Sequence, residues 1–462
     1  MKTFIKRLPL TAVVLFIYLQ SSHGNISLPE IFSDNMVLQQ KSEIIFWGWA
    51  KTGEMVVITS DWLDTELSVK ASDQGTWKIT LKTPGAGGPY NIHLKGYKEL
   101  TLKNVLIGEV WLCSGQSNME WSAQAGINNG EEEIKNATYP EIRFFTVFNA
   151  TSLFPQDHFT GKWTECTPEE MRKFSAIGYF FARKLNKELG VPVGIINSSW
   201  GGTPAEAWMP EDVIRKDNFL NEAAVKQKPV PWGPVGPGRI YNSMISPMIP
   251  FRIAGVLWYQ GEANTINAYA YMQMLSSLIK SWRTNWRYDF PFYWAQIAPY
   301  GYGKPFKGVE VREAQRKVLE VPNTGMVVLS DIGDTLNIHP KNKQDAAIRF
   351  ANLALNRYYK KSVIEDSGPL YKEMTVDKNK AIILFDHSEG LHAVGDKLSC
   401  FEIAGEDKVF YPAEAKIKGK QVIVQSKKVK SPVSVRFAWS NTATPNLFNG
   451  VNLPASCFKT QQ

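Results

Sequence analysis

Cysteine and histidine are both scarce in this chain of 462 residues: four Cys, at 113, 166, 400 and 457, and six His. None of the cysteines stands in a C-x-x-C pair, so neither a zinc ribbon nor a dithiol redox centre is expected, and no metal site is read. In an oxidising compartment Cys400 and Cys457 have a possible pairing within the C-terminal region, with free buried thiols as the alternative. Long hydrophobic runs are missing after the first twenty-odd residues, which argues against stable membrane insertion. Dense positive blocks are missing too. The formal charge of +8 falls to +5 without Lys2, Lys6 and Arg7, and the remaining lysines are spread thinly, which is ordinary solubility rather than nucleic-acid binding. No internal repeat or low-complexity tract is present, and nothing in the sequence sets the number of subunits.

What is present begins with a leader. Lys2, Lys6 and Arg7 precede an apolar run from Leu8 to Leu19, and Ser22-His23-Gly24 gives small residues before Asn25. This is the pattern of a cleaved secretory signal peptide over residues 1–24; the run is short of the roughly 20 apolar residues of a spanning helix. A secreted or periplasmic protein is expected. Fifteen Trp and seventeen Tyr suit carbohydrate contact, although aromatic side chains are first of all core material.

The length exceeds the roughly 250–300 residues at which one core stops growing, so several domains are expected. Residues 25–104 carry short alternating runs such as Met55-Val56-Val57-Ile58-Thr59 and read as a β module. Residues 105–361 alternate apolar strands (Val110–Cys113, Val193–Asn197, Ile253–Tyr259, Phe290–Gln296, Met326–Ser330) with amphipathic helices (Ser175–Leu189, Ala268–Trp286, Val309–Leu319, Asp345–Tyr358). That alternation predicts an α/β region with a parallel sheet covered on both faces, whose active site lies beyond the carboxyl ends of the strands. Residues 362–462 return to strands and turns, a second β module.

Polar residues gather at those strand ends. Ser114-Gly115-Gln116-Ser117-Asn118-Met119 follows the first strand and would hold one hydroxyl at the start of a helix, where backbone N–H groups face a developing oxyanion; a plain Gly-Ser turn is the alternative. Trp200-Gly201-Gly202-Thr203 follows the second strand and lets backbone approach a ligand closely, although Gly-Gly is more often only a turn. Gln260-Gly261-Glu262-Ala263-Asn264 follows the third, placing two amides and a carboxylate in the same crevice. The last strand leads through Asp331 and Asp334 to His339, which, delivered opposite an exposed serine, reads as a general base.

The successive blocks LCSGQSNMEW, SSWGGTPAEAW, WYQGEAN and NIHPKNKQDAAIRFA resemble those of the sialate O-acetylesterase family, a branch of the SGNH hydrolases, across nearly the whole mature chain. The resemblance implies an SGNH-hydrolase-like, flavodoxin-like doubly wound sheet with flanking N- and C-terminal β modules. It implies serine esterase chemistry on an acetylated carbohydrate, O-acetylated sialic acid first and plant xylan or xyloglucan as the alternative, with no cofactor or metal. A non-catalytic carbohydrate-binding protein of the same fold is the alternative of another class. By the same resemblance Ser117 is the nucleophile and His339 the base. The oxyanion hole would be formed by the N–H groups of Ser117 and Gly202 with the side chain of Gln260 or Asn264. The orienting acid of the broader pattern stands three residues before the histidine, where this chain has Leu336. Asp334 is therefore the first candidate acid and Asp331 the second, with Glu262 or a backbone carbonyl left open.

Overall fold

The structure, a computed structural model, describes residues 26–361 and 365–460; the expected leader lies outside them. Its centre is set by one strand, Glu99–Gly115 (β1), whose second half is buried throughout and apolar apart from Glu109 and Ser114. Alternation along a strand sends neighbouring side chains to opposite faces. Val110 and Leu112 enter one core while Trp111 and Cys113 enter another. A strand apolar on both faces belongs in the middle of a sheet covered on both sides.

After β1 come a single helical turn, Ser117–Glu120 (α1), and then Tyr139–Val147 (β2), Gly161–Cys166 (β3), Ala176–Leu189 (α2) and Val193–Ser199 (β4). Gly255–Tyr259 (β5), Tyr271–Trp286 (α3), Phe292–Ala295 (β6), Lys307–Lys317 (α4), Thr324–Val327 (β7) and Lys343–Leu353 (α5) complete the region. The sheet order is β7-β6-β5-β1-β4-β2-β3, parallel except for the edge strand β3. The chain leaves β1 toward one edge and later returns to build the other, so β1 is the switch strand. The order differs from the flavodoxin pattern because β4 lies between β1 and β2. Helices α2 and α5 cover the Trp111 face through Phe180, Leu185, Phe350 and Leu353. The opposite face is covered by α3 and α4 through Leu275, Trp282 and Val311.

The first half of β1 belongs to the N-terminal β structure. It pairs antiparallel with Gly87–Lys95 and, from Leu106 to Gly108, parallel with Val37–Gln39. One strand thus carries the chain across residue 104 without a break. At the other end, two four-stranded antiparallel sheets formed within residues 370–459 stand beside α4. Arg312 donates to the carbonyls of Ser440 and Asn441, and Gln296 donates to Ser456 Oγ at 2.8 Å.

The expected strand over Met326–Ser330 is displaced. It begins at Thr324 and stops at Val327, in register with β6, which ends at Ala295. The pairing of Cys400 with Cys457 is corrected as well: all four cysteines are free thiols. Cys457 Sγ faces Gln296, whereas Cys400 Sγ faces its neighbour Ser399, so the two sulfurs point to different surroundings. Among the described residues no helix is long and apolar enough to cross a membrane, and no group of three or more His, Cys, Asp or Glu is placed to hold a metal ion.

Helix α2 follows its sequence signals closely. Ser175 Oγ caps it by accepting from Gly178 N at 3.1 Å, and Gly190 closes it in the left-handed region at φ 66°. The same hydroxyl donates to Met119 O at 2.6 Å, so the cap also anchors α1. Ser175→Ala should cost about 1–2 kcal/mol, the loss of a cap with a buried carbonyl left unpaired. Urea denaturation measures this directly, and an unchanged midpoint would show that the cap carries no stability.

Candidate active site

Three strands end side by side. Gly115 of β1 is in register with Ser199 of β4 and with Tyr259 of β5, so the segments that follow start from one edge of the sheet. Gly115 has φ 130°, and a Cβ there would stand 2.3 Å from Tyr259 O; only glycine permits β1 and β5 to approach so closely at the turn. The turn places Ser117 as the first residue of α1.

Ser117 Oγ lies 2.9 Å from His339 Nε2, across 222 residues of sequence. The imidazole comes from the loop between β7 and α5. It stacks on Trp121, with ring centres 4.1 Å apart and planes at 20°, and its backbone N–H donates to Asn337 Oδ1 at 2.9 Å. Both residues line a cleft of about 610 Å³ together with Gln116, Trp200, Gly202 and Trp232. Gly202 has φ 72°, and a Cβ there would collide with the Trp232 indole, 2.1 Å from Nε1, so glycine lets the indole close over the backbone. A serine hydroxyl within hydrogen-bond reach of an imidazole nitrogen can pass its proton to that ring as it attacks an electrophile.

The carboxylates proposed from sequence do not meet the imidazole. Asp334 Oδ1 accepts from the backbone N–H groups of Leu336 and Asn337, at 2.9 and 3.2 Å, so it closes its own exposed turn. Asp331 forms a two-pronged ion pair with Arg349, at 2.8 and 2.5 Å. Glu262 reaches the cleft but accepts from Asn118 Nδ2 at 2.8 Å. Among the described residues no carboxylate is hydrogen-bonded to His339.

Neither amide proposed for the oxyanion hole faces the cleft. Gln260 is fully buried; its Nε2 donates to Thr203 O and Asn264 Oδ1, and its Oε1 accepts from Tyr271. Asn264 Oδ1 also accepts from Ala205 N, while its Nδ2 donates to Glu206 and Asn267. Both residues brace the Gly-Gly turn from behind. Of the side-chain amides that line the cleft, Gln116, Asn149 and Gln227, the one beside Ser117 in sequence is Gln116, whose Oε1 accepts from the N–H groups of Gly261 and Ala263, at 3.4 and 3.3 Å. With the oxygen so engaged, the amide nitrogen is the group left for the cleft.

Sequence reasoning also missed Glu120, Asn118 and Lys343. Glu120 accepts from Gly201 N at 2.7 Å, tying α1 to the Gly-Gly turn, and burial holds its carboxyl above the usual range against that N–H. Lys343 is buried and donates to Asn118 Oδ1 at 2.6 Å. Burial brings Lys343 down to about 7, opposed by Glu262, while burial raises Glu262. His339 is drawn down to about 4, first by burial and then by the positive charge of Lys343. The neutral ring is therefore favoured. Charged groups buried at helix starts resemble ordinary solvated charges in a sequence, and only their neighbours reveal them.

Comparison with known proteins identifies the family of the chain. The family model described as carbohydrate esterase, sialic acid-specific acetylesterase, matches residues 107–356. The chain is similar to a carbohydrate acetylesterase of solved structure from Xanthomonas citri, at 37% identity and a TM-score of 0.87, over 95% of this chain and 100% of that one. It is 26% identical to the sialate O-acetylesterase of Mus musculus over 94% of this chain and 93% of that protein. With the Homo sapiens sialate O-acetylesterase it shares 27% over 80% and 78%. The match spans the sheet, its helices and every segment that lines the cleft: this chain belongs to the carbohydrate esterase family of sialic acid-specific acetylesterases.

Proposed function

We propose that this chain is a serine esterase that hydrolyses O-acetyl esters of carbohydrate, with O-acetylated sialic acid as its substrate. The 2.9 Å contact between Ser117 Oγ and His339 Nε2 at the cleft carries the reading. Ser117 attacks the acetyl carbonyl as His339 takes its proton. The sugar hydroxyl leaves with that proton, and water activated by the same imidazole releases acetate and restores the serine. The N–H groups of Ser117 and Gly202, with Gln116 Nε2 in place of the two amides that face away, form the oxyanion hole of this mechanism. The names of the relatives support the sugar and the acetyl ester. An SGNH-type esterase region over 105–361, flanked by β modules over 25–104 and 362–462 and exported by the leader, belongs to the same reading.

Acetate release from 9-O-acetylated sialic acid, acetylated xylan and acetylated xyloglucan tests it. Wild type should act on the sialic acid and Ser117→Ala on none; release from the plant polysaccharides alone would change the substrate and keep the chemistry. Release from none, with wild type folded, would leave a carbohydrate-binding protein.

Two further outcomes follow from the electrostatics. A base must be unprotonated, so with His339 near 4 rather than its ordinary 6.5, kcat/KM should persist as the pH falls through 6.5 and decline only toward pH 4. An acidic limb centred at the ordinary histidine value would contradict this. Asp334→Asn should keep kcat within about threefold of wild type, since loss of a true triad acid costs about 10⁴. A fall of that size would restore Asp334 to the imidazole.

A further inference from the structure

His339 stands on a loop whose bonds are mostly local: Asp334 closes the turn on Leu336 and Asn337, Asn337 accepts from His339 N, and Asp331 at its start pairs with Arg349, while Leu336 at the tip is 90% exposed. With no carboxylate on the imidazole among the described residues, the ring is held by its stack on Trp121 and by the bonds that fix the backbone carrying it. The connection is made by Asn118, next to the serine in sequence and fully buried. Its Nδ2 donates to Ile338 O at 3.0 Å, the carbonyl of the residue before the histidine. One amide therefore joins the backbone on either side of the reacting pair.

The orientation of that amide is fixed by its other partners. Lys343 Nζ donates to Asn118 Oδ1 at 2.6 Å, and Glu262 Oε1 accepts from Asn118 Nδ2 at 2.8 Å. As an ammonium Lys343 only donates and as a carboxylate Glu262 only accepts, so in their charged forms the pair distinguishes the two ends of the amide. The lysine is 1% exposed, with Nζ 5.8 Å from the centre of the Trp121 ring and 5.7 Å from that of Tyr259. Enclosing a cation and a carboxylate together is costly to folding, and a hydrophobic pair of similar size is often as stable. Their arrangement around a single amide gives them a geometric task.

We propose that Asn118, held between Lys343 and Glu262, is the positioning residue of this site, fixing the histidine loop against the nucleophile turn as an orienting carboxylate does in a Ser-His-Asp triad. The proposal rests on the Ser117–His339 reading. The titratable groups around the imidazole are Lys343 from α5, buried beneath it, and Glu262, Glu120 and Lys228, which line the same cleft, with Asp334 on the loop itself. Lys343 enters twice, through its bond to Asn118 and through its charge, which opposes protonation of His339.

The test is steady-state kinetics on an acetyl ester for Asn118→Ala, Asn118→Asp, Lys343→Met and Ser117→Ala in the full chain, with thermal unfolding of each. Asn118→Ala should lower kcat by about 10–100-fold, the cost of a small misplacement of reacting groups, with KM nearly unchanged. Asn118→Asp keeps the shape and the contact to Lys343 but sets an oxygen against Ile338 O and Glu262, so it should lose kcat to a similar extent; it serves as the probe if Asn118→Ala does not fold. Lys343→Met removes the charge, and the acidic limb of kcat/KM should move to higher pH, a change that loss of packing alone would not produce. Wild-type kcat in both folded Asn118 variants, a rise in KM at constant kcat, or an unmoved limb in Lys343→Met would overturn the proposal. Full activity in Ser117→Ala would instead overturn the esterase reading and the proposal with it.

Discussion

The structure depends on one constraint: β1, β4 and β5 must end in register at a single edge, with Gly115 pressed against Tyr259. That close approach turns the chain sharply enough for Ser117 to stand at the cleft instead of continuing along the sheet. It also sets the Gly-Gly turn after Ser199 and the segment after Tyr259 on either side of the serine. The two cores on opposite faces of β1 make the edge rigid, because shifting one strand would disturb packing above and below it. The shared strand also links the N-terminal β structure to the site, and Gln296 and Arg312 tie in the C-terminal sheets.

The electrostatics follow from burial. The interior beneath the cleft contains Lys343, Glu262 and Glu206, each shifted toward its neutral form by loss of water and each returned partway by its partners. Glu206 accepts from Asn264 and Asn267, a fully buried knot of side chains that supports the Gly-Gly turn through Asn264 and Ala205. A second knot, centred on Asn118, lies under the Ser117–His339 pair. Polar networks in a low dielectric hold their members to narrow geometries when all are satisfied, which suits a site whose reacting atoms come from segments far apart in sequence.

Much of this was legible in the residues. Apolar runs of strand length alternating with amphipathic helices gave the α/β region, and the amphipathic run over Ser175–Leu189 placed α2 to within a residue. Ser117 and His339 were readable because each follows a strand end, where chemistry collects in such sheets. The supporting residues were not, because their roles depend on direction. Gln260 and Asn264 lie in a segment that reaches the cleft, but their side chains turn inward to Thr203, Tyr271 and Glu206. Asp331 meets Arg349, which lies on the next helix. Asp334 stands close to His339 in sequence and spends its carboxylate on its own turn. Spacing along a loop carries no information about which way a side chain points.

The central claim is that Ser117 is a nucleophile activated by His339. Treating the folded protein with a fluorophosphonate, followed by intact-mass measurement and peptide mapping, tests it without any assumption about the sugar. The account predicts one adduct per chain, on the peptide that carries Ser117, and none on Ser117→Ala. An adduct at another residue, or labelling of Ser117→Ala at the wild-type rate, would contradict it.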